Sequence, residues 1–289
     1  MNYYDRFCKD LKLKGYAERS RQTYLRTVRQ LQNFWSKPLD QIIEEELRDY
    51  WLYCKEELNW GSATLRISYS GIKHFFTFIV KRDWAVLKEV KFKRDESLPV
   101  VLSIDEVRTI LQALSPGQNR TFYETVYSLG LRLTEARTLQ VRDIDSSRMV
   151  VHVHAGKGAK DRLIPLPETT LLSLRNYWKR HRNPVWLFPG LGQDGKRGPH
   201  AQKPVSATTV QGALRRTIIR LKIKKHVHTH TFRHSYATHL IEAGIPVRHV
   251  QDYLGHETLN STMIYLHLTT AGNIESQSRI NQLMRGVVL

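Results

Sequence analysis

The sequence has little cysteine, which excludes several kinds of site. Its 289 residues include 2 cysteines, Cys8 and Cys54. Two such distant cysteines provide no disulfide framework, no Cys-X-X-Cys redox motif and no cysteine metal cluster. Each lies on an apolar stripe of helical spacing, so we expect both to pack in the interior. This cysteine usage is typical of a reducing compartment such as the cytoplasm.

Long apolar runs are missing as well. No stretch approaches the roughly 18 apolar residues of a membrane-spanning helix. The opening segment MNYYDRFCKD lacks the apolar centre of a signal peptide. We therefore expect a cytoplasmic protein that has no membrane partner.

Acidic residues are outnumbered by basic ones. The chain carries 45 Lys and Arg against 27 Asp and Glu, a net charge of +18. Such an excess favours a polyanionic partner, because basic side chains that neutralise phosphates release condensed counterions. A basic protein without such a partner is the alternative at this point. The hydrophobic fraction of 41% is sufficient for a folded core.

Apolar residues recur at helical spacing through the first ninety residues and predict four helices. These are marked by Tyr4, Phe7 and Leu11; by Tyr24, Val28, Leu31 and Trp35; by Ile43, Leu47, Tyr50, Trp51 and Cys54; and by Leu65, Tyr69, Ile72, Phe76 and Ile79. Ser20 is the expected cap of the second helix. Short connections predict a four-helix bundle over residues 1–90. The opposite faces carry basic residues, interpreted as DNA contacts or as solvated surface: Arg19, Arg21, Arg26, Arg29, Arg66 and Lys73.

A charged segment containing Pro99 follows, and residues 91–101 are predicted to be an interdomain linker. Ser103 and Glu106 then form a predicted capping box that begins a new helix. Residues 102–289 mix helices with one β-hairpin, RMVVHVHAGKGAKDRLIPLP, whose tip we place at residues 156–160. The predicted fold class is mainly α with a small β-hairpin or sheet: an N-terminal four-helix bundle followed by an α+β domain.

Three patterns suggest other chemistries. The segment HVHTHTFRHSYATHL, residues 226–240, holds five histidines and first suggests a metal site. GLGQDGKR resembles a phosphate-binding loop, but Arg197 occupies the position of the Mg²⁺-binding Ser or Thr. HETLN begins like a zinc-protease motif, but Asn260 replaces the second ligand. We reject nucleotide and zinc-protease sites.

Four segments of the second part concentrate Arg, Lys, His and Tyr. They are LGLRLTEARTL with Arg132 and Glu135, AGKGAKDR with Lys157, HTHTFRHSYATHL with His230 and Arg233, and LGHETLNSTMIYLH with His256 and Tyr265. His230 and Arg233 are three residues apart, so they share one helical face.

This set of side chains suits phosphodiester chemistry. Two arginines can hold the non-bridging oxygens of one phosphodiester and stabilise a five-coordinate transition state. Histidines can donate hydrogen bonds to the phosphate or accept a proton. A tyrosine beside such a cationic cluster is a competent nucleophile, because the cluster stabilises its phenolate. The sequence has no carboxylate cluster for the Mg²⁺ ions of a two-metal nuclease, so we expect no metal and no other cofactor.

Residues from about Leu102 to Thr269 resemble the catalytic domain of the tyrosine site-specific recombinases, the phage integrase family that includes the Xer-type enzymes. The motifs HTFRHSYATHL and LGHETLNSTMIYLH carry this resemblance. The helical first part resembles the core-binding domain of that family by its size, position and helicity. The implied activity is site-specific cleavage and rejoining of DNA by transesterification.

The resemblance also implies roles for individual residues. Arg132 and Arg233 resemble the arginines that clamp the phosphate, and Glu135 resembles their acidic support. Lys157 matches the hairpin lysine that acts as general acid. Lys160 or Arg162 could take this role in its place, and both are otherwise expected to contact DNA. His230 resembles the motif histidine near the nucleophile, and His256 resembles the second phosphate-contacting histidine. Tyr265 resembles the nucleophile that forms a 3′-phosphotyrosine link. His228 and His234 are expected to pack, to cap a helix or to face solvent.

The implied partners are double-stranded DNA and further copies of the chain. Four copies are expected to form a tetramer on two DNA sites, and the recombination reaction is expected to proceed through a Holliday junction. Accessory DNA-bending proteins are an additional expected partner. A type IB topoisomerase-like nicking and closing enzyme and an inactive DNA-binding regulator are the alternatives. Residues 190–206 are interpreted as a DNA-contacting insertion or a solvated loop. The segment NIESQSRINQLMRGVVL is expected to dock on a neighbouring protomer.

Overall fold

The structure is a computed structural model and describes residues 2–93, 98–154, 161–191 and 198–266. The chain divides into two compact units, Met1–Ser97 and Leu98–Leu289. The described residues are mostly helical and include a three-stranded sheet, which confirms the predicted fold class.

The first unit is helical, as its apolar periodicity predicts. Residues from the apolar faces, among them Phe7, Val28, Trp51 and Ile72, are buried together in its core. Cys54 is buried in this core and Cys8 packs at its margin. The helices are α1 (Tyr3–Leu13), α2 (Glu18–Trp35), α3 (Glu44–Glu56), α4 (Ser62–His74) and α5 (Val86–Glu89), with a 3₁₀ turn at Leu39–Gln41 and a π-helical segment at Phe75–Val80.

Two details of this unit differ from the sequence prediction. The expected cap Ser20 lies inside α2, which begins at Glu18 after Ala17. The fourth predicted helix is marked by apolar residues as far as Ile79, but the six residues Phe75–Val80 are π-helical. Apolar spacing does not separate these two helix types, because a π-helical turn changes the register by one residue only.

The second unit contains the remaining elements. They are α6 (Ile104–Ala113), α7 (Gln118–Leu129), α8 (Leu133–Thr138), a 3₁₀ turn at Val141–Asp143, β1 (Ile144–Asp145), β2 (Val150–Val153), β3 (Arg162–Pro165), α9 (Glu168–His181), α10 (Ala207–Arg220), α11 (Thr229–Glu242), α12 (Val247–Leu254) and α13 (Asn260–Leu266). The predicted capping box at α6 is confirmed: Ser103 Oγ accepts from the Glu106 N–H at 3.1 Å, and Glu106 Oε2 accepts from the Ser103 N–H at 2.7 Å.

The sheet has the antiparallel order β1-β2-β3. Its apolar face buries Val151, Val153 and Ile164 in the core of the unit. Val153 pairs with Arg162 at the end of the β2–β3 pair where the chain passes from one strand to the other. The predicted hairpin tip, with Lys157 and Lys160, lies outside the described residues.

Helix α11 is held in the middle of the second unit by α7. Phe232 of α11 is fully buried and packs on Tyr123 of α7, with ring centroids 5.2 Å apart. The Tyr123 hydroxyl donates to the Val210 carbonyl at 3.1 Å. The helix that carries His230 and Arg233 is therefore fixed by core packing, which is what a preorganised site requires.

In the parts of the chain that the structure describes, none of the helices combines the length and apolar character needed to cross a membrane.

Candidate active site

Six of the predicted site residues converge in the second unit. Arg132 precedes α8 and Glu135 lies in its first turn, whereas His230 and Arg233 lie in the first two turns of α11. His256 follows α12, and Tyr265 lies in α13. Residues far apart in sequence, such as Arg132 and Tyr265, are thus brought to one region by four helices. Lys157 lies outside the described residues.

Glu135 is the centre of this cluster, and its side chain is only 9% exposed. Oε1 accepts from Arg132 Nη1 at 2.8 Å and from Arg162 Nη1 at 3.0 Å. Oε2 accepts from Arg162 Nη2 at 2.8 Å and from the Arg132 backbone N–H at 2.8 Å. Burial alone would raise the pKa of the Glu135 carboxyl, but the hydrogen bonds and charges of Arg162 and Arg132 outweigh it and lower this pKa to about 2.

Arg233 is the buried arginine of the site, with 3% of its side chain exposed. Nη1 donates to the Gly130 carbonyl at 2.6 Å, and Nη2 donates to the Leu254 carbonyl at 2.5 Å. Burial, followed by the charge of Arg132, lowers the pKa of its guanidinium to about 9. The group therefore remains a cation at neutral pH, held by two helix ends.

Glycine is required at the end of α7, where Gly130 presents its carbonyl to Arg233. Gly130 is left-handed, with φ +58°, and ends the helix. A Cβ at this position would lie 2.6 Å from Tyr236 Cδ1 and 2.9 Å from Leu254 Cδ2. Both the conformation and the close approach thus favour glycine.

Arg132 is the more exposed arginine, with 38% of its side chain accessible. Arg132 forms an ion pair with Glu135 through Nη1, and its Nη2 donates to the Gly255 carbonyl at 3.1 Å. Gly255 ends α12 in the left-handed conformation, with φ +62°. The two arginines are therefore oriented by carbonyls at helix ends, and Arg132 offers its guanidinium to the solvent side.

The Tyr265 hydroxyl lies inside this site, and the residue is 2% exposed. Its oxygen is 2.9 Å from His234 Nδ1. Its ring stacks on that of His256, with centroids 6.2 Å apart and an interplanar angle of 21°. His256 Nδ1 is in turn 2.8 Å from Thr262 Oγ1. Tyr265 is thus held between one histidine at its hydroxyl and another at its ring.

The protonation of the Tyr265 hydroxyl differs from the sequence expectation. The cationic cluster was expected to favour phenolate. Burial raises the pKa of Tyr265 above its ordinary value of 10.0, although Arg233 and then Arg132 act to lower it. In the free protein, the hydroxyl is therefore protonated and needs an acceptor for its proton.

The histidines around Tyr265 are neutral at physiological pH. Burial and then the neighbouring His230 lower the pKa of His234 to about 4. Burial and then Arg233 lower the pKa of His256 to about 4. The pKa of His230 is also lowered, by partial burial and by Arg233. A neutral imidazole can accept one hydrogen bond, so the ring that touches the Tyr265 hydroxyl can serve as its acceptor.

His234 and Arg162 have contacts that the sequence analysis missed. His234 was expected to pack, cap or face solvent, but its ring touches the Tyr265 hydroxyl. A usable signal was its position four residues after His230, hence on the same helical face. Arg162 was expected to contact DNA, but its side chain is 8% exposed, pairs with Glu135, and donates from Nε to the Tyr253 carbonyl at 2.8 Å. Burial and this pairing make Arg162 a structural partner of the Glu135 carboxylate.

The remaining histidines of the opening cluster have structural contacts. His228 caps α11, since its Nδ1 accepts from the Thr231 N–H at 3.2 Å. His239 Nδ1 lies 2.8 Å from the Tyr127 hydroxyl. The cap at His228 is one of the structural roles expected for this residue from the sequence.

The basic residues predicted to contact DNA in the first unit differ in their surroundings. Arg19 and Arg26 are exposed on α2, whereas Arg21 is ion-paired with Glu18. Arg66 and Lys73 are half-buried on α4. In the loop predicted at residues 190–206, the Gly190 N–H donates to the Lys203 carbonyl at 2.8 Å. Residues 192–197 and the proposed docking tail lie outside the described residues.

Comparison with known proteins gives consistent matches along the chain. Residues 101–271 match the phage integrase family, and residues 3–86 match its N-terminal SAM-like domain. An integrase/recombinase of Escherichia coli is 30% identical over 304 residues, which cover 93% of this chain and 90% of that protein. Tyrosine recombinase XerC of Halalkalibacterium halodurans is 31% identical over 228 residues, which cover 74% of each chain.

Solved structures share the fold at low sequence identity. The XerH site-specific recombinase bound to palindromic difH substrate, in a post-cleavage complex, superposes with a TM-score of 0.70 at 21% identity, covering 94% of this chain and 82% of that one. A lambda integrase dimer bound to a COC′ core site superposes with a TM-score of 0.72 at 18% identity, covering 91% and 75%.

Proposed function

The chain belongs to the phage integrase family and is a tyrosine recombinase, an enzyme that breaks and rejoins DNA, and we propose that Tyr265 is its nucleophile and a 3′-phosphotyrosine its intermediate. The observation that carries this proposal is the position of the Tyr265 hydroxyl, 2.9 Å from His234 Nδ1 and within the electrostatic influence of Arg233 and Arg132. A buried tyrosine with only a packing role has no need of such surroundings.

The reaction that this geometry supports is an in-line transesterification. The scissile phosphate would bind at the solvent side of Arg132, with Arg233 as the buried cation behind it. The Tyr265 oxygen forms a bond to phosphorus, and the bond from phosphorus to the 5′-oxygen breaks. The DNA 3′-phosphate is then joined to tyrosine, and the departing strand carries a 5′-hydroxyl. One phosphodiester replaces another, so the step needs no nucleotide hydrolysis.

The two proton transfers are assigned to different residues. The Tyr265 hydroxyl is protonated in the free protein, and neutral His234 is the group in contact with it. We propose that His234 accepts the hydroxyl hydrogen bond and takes the proton as the oxygen attacks. Lys157 would protonate the 5′-oxygen as it leaves. His230 and His256 would donate hydrogen bonds to the phosphate oxygens.

His234→Ala is expected to slow covalent attachment to DNA by about 10²-fold or more, the usual cost of losing a general base. His234→Asn separates two roles, because the amide can occupy the Nδ1 position and accept a hydrogen bond but cannot take up a proton near neutral pH. If His234 takes the proton, the asparagine variant is as slow as the alanine variant. A return of the asparagine variant to the wild-type rate would limit His234 to orientation.

The measurement is the single-turnover rate of adduct formation on two substrates. One has an ordinary phosphodiester, and the other has sulfur in place of the 5′-bridging oxygen. Sulfur leaves without protonation, so the second substrate should restore the rate of adduct formation by Lys157→Ala but not that by His234→Ala. His239→Ala is the matched control, because His239 lies on the same helix and contacts Tyr127.

The partners and the order of events are also part of the proposal. DNA is the partner that the family membership supports. The exposed Arg19 and Arg26 are the proposed contacts of the first unit, together with Arg21, Arg66 and Lys73, and Lys160 is a proposed contact of the second unit. We propose that four copies assemble on two duplex sites in the cytoplasm and exchange one pair of strands at a time through a Holliday junction, with accessory DNA-bending proteins as additional partners.

A nicked duplex tests this function, because the short strand beyond the cleavage position dissociates and traps the covalent complex. The cognate site is first selected from a library of randomised duplexes by recovering protein that remains bound to DNA under denaturing conditions. On the nicked duplex that carries the selected site, the wild-type protein should accumulate the adduct in EDTA. When two duplexes that carry this site are present, the protein should also produce four-stranded junctions. Relaxation of supercoiled plasmid by monomers without junctions would instead indicate a type IB topoisomerase-like activity.

A further inference from the structure

Three side chains at the connected end of the β2–β3 pair bring potential metal ligands together. His152, His154 and Asp161 each offer one ligand atom, and these atoms lie within 4.8 Å of one another. Val151 and Val153 are buried, and side chains alternate along a strand. His152 and His154 therefore share the other face of the sheet. Asp161 immediately precedes β3, beside them.

The separations are close to those of a zinc site. Asp161 Oδ2 is 3.1 Å from His152 Nε2 and 3.0 Å from His154 Nδ1. Bonds of about 2.0–2.1 Å to a tetrahedral ion place neighbouring ligand atoms about 3.3 Å apart. These two separations would need to widen by only a few tenths of an ångström to accommodate the ion, and all three ligand atoms lie within 4.8 Å of one another. Two imidazoles and one carboxylate also match the ligand types that Zn²⁺ prefers.

A buried carboxylate on the other side of His154 is a second, independent observation. Asp143 is buried, and its Oδ1 lies 3.2 Å from His154 Nε2. Its Oδ2 accepts from the Gln140 N–H at 2.8 Å, which fixes the carboxylate. A neutral imidazole has a single N–H, so His154 can donate to Asp143 and still present the Nδ1 lone pair to a cation. This carboxylate–histidine–metal arrangement is the common way in which proteins orient a metal-binding histidine.

We propose that His152, His154 and Asp161 bind a divalent transition-metal ion of the Zn²⁺ type, with Asp143 orienting His154. The fourth position would be open to water, because the three ligands are partly exposed. The ion would join the end of β2 to the start of β3 and hold Asp161 next to Arg162, the partner of Glu135. It would not touch the nucleophile, so this site is separate from the proposed DNA chemistry.

Metal binding to the untagged full-length protein tests the proposal. Titration with Co²⁺ should give one equivalent of bound ion with the visible absorption of a tetrahedral nitrogen and oxygen site, and Zn²⁺ should displace it. His154→Ala and Asp161→Asn should each remove this absorption. Asp143→Asn should weaken the affinity about 10- to 100-fold, the usual cost of losing such an orienting carboxylate. Mg²⁺ should not compete, because it prefers oxygen ligands.

His226→Ala is the control, because His226 lies in the other histidine-rich segment and should leave the absorption unchanged. The melting temperature of each metal-free variant establishes that it is folded. Absent Co²⁺ binding in folded wild type, or binding that survives both His154→Ala and Asp161→Asn, overturns the proposal and leaves these residues as a hydrogen-bonded group. Adduct formation in EDTA is a separate readout, so failure of the metal site and failure of the recombinase mechanism are distinguishable.

Discussion

Tyr265→Phe is expected to abolish covalent attachment to DNA while leaving non-covalent binding intact. The substitution removes the oxygen that we propose attacks phosphorus and keeps the ring that stacks on His256. The His234 ring then loses its partner at 2.9 Å. Loss of one buried hydrogen bond costs about 1–3 kcal/mol, which lowers the melting temperature without unfolding the protein. Denaturing gels measure the adduct, and mobility-shift gels measure binding.

Tyr253→Phe is the matched control for this experiment. Tyr253 is half-buried in α12, and its backbone carbonyl, which accepts from Arg162, is unaffected by loss of the hydroxyl. The control should form adduct at the wild-type rate. Adduct formed by Tyr265→Phe at an undiminished rate would assign the nucleophile to another residue.

Glu135→Gln is expected to reduce both stability and cleavage. The carboxylate accepts from Arg132 and Arg162 in a nearly dry site. Removing its charge leaves these two guanidinium groups without their anionic partner. Breaking a buried ion pair in this way costs about 3–5 kcal/mol. Denaturant unfolding measures the loss, and single-turnover cleavage should fall as Arg132 loses its fixed position.

The same carboxyl group should make stability depend on pH in acid. Its pKa is about 2 in the folded protein, against an ordinary value of 4.5. A lowered folded-state pKa favours folding where the group is ionised. It contributes about 3 kcal/mol above the unfolded pKa, and this contribution is lost as the pH falls from about 4.5 towards 2. The Glu135→Gln protein should lack this part of the acid dependence.

Glu106→Gln provides a matched control, because Glu106 also accepts from the N–H of the residue that caps its helix. Lys225, the ion-pair partner of Glu106, is more exposed than Arg162, the partner of Glu135. Loss of the Glu106–Lys225 ion pair should therefore cost at most about 1 kcal/mol. Equal losses in the two variants would contradict the central position assigned to Glu135.

The helices were predictable because their cause is local. Apolar spacing identifies α1 to α4, and Ser103 with Glu106 identifies the start of α6. The π-helical segment at Phe75–Val80 was not predictable, since the same apolar residues suit either helix type. The cap of α2 was also missed, because Ala17 makes no side-chain hydrogen bond there and so carries no sequence signal.

The sequence predicted the candidate site residues that lie within motifs. It did not predict the contacts that form only when distant segments pack together. His230, Arg233, His256 and Tyr265 lie in two motifs, and the structure brings their segments together. The pairing of Arg162 with Glu135 joins residues 27 positions apart and depends on how β3 meets α8. The contact of His234 with Tyr265 spans 31 positions and depends on how α13 packs on α11. Both pairs are too far apart in sequence for the periodicity of a helix or a strand to predict the contact.

The most direct test of the mechanism is to locate the bond between protein and DNA. Adduct formed on the nicked duplex in EDTA is digested with trypsin and nuclease, and the modified peptide is sequenced by mass spectrometry. We predict a single modified residue, Tyr265, joined through phosphate to the 3′-oxygen of the cleaved strand. A bond at a different residue, linkage to a 5′-phosphate, or an adduct that forms only with added divalent metal would contradict the mechanism.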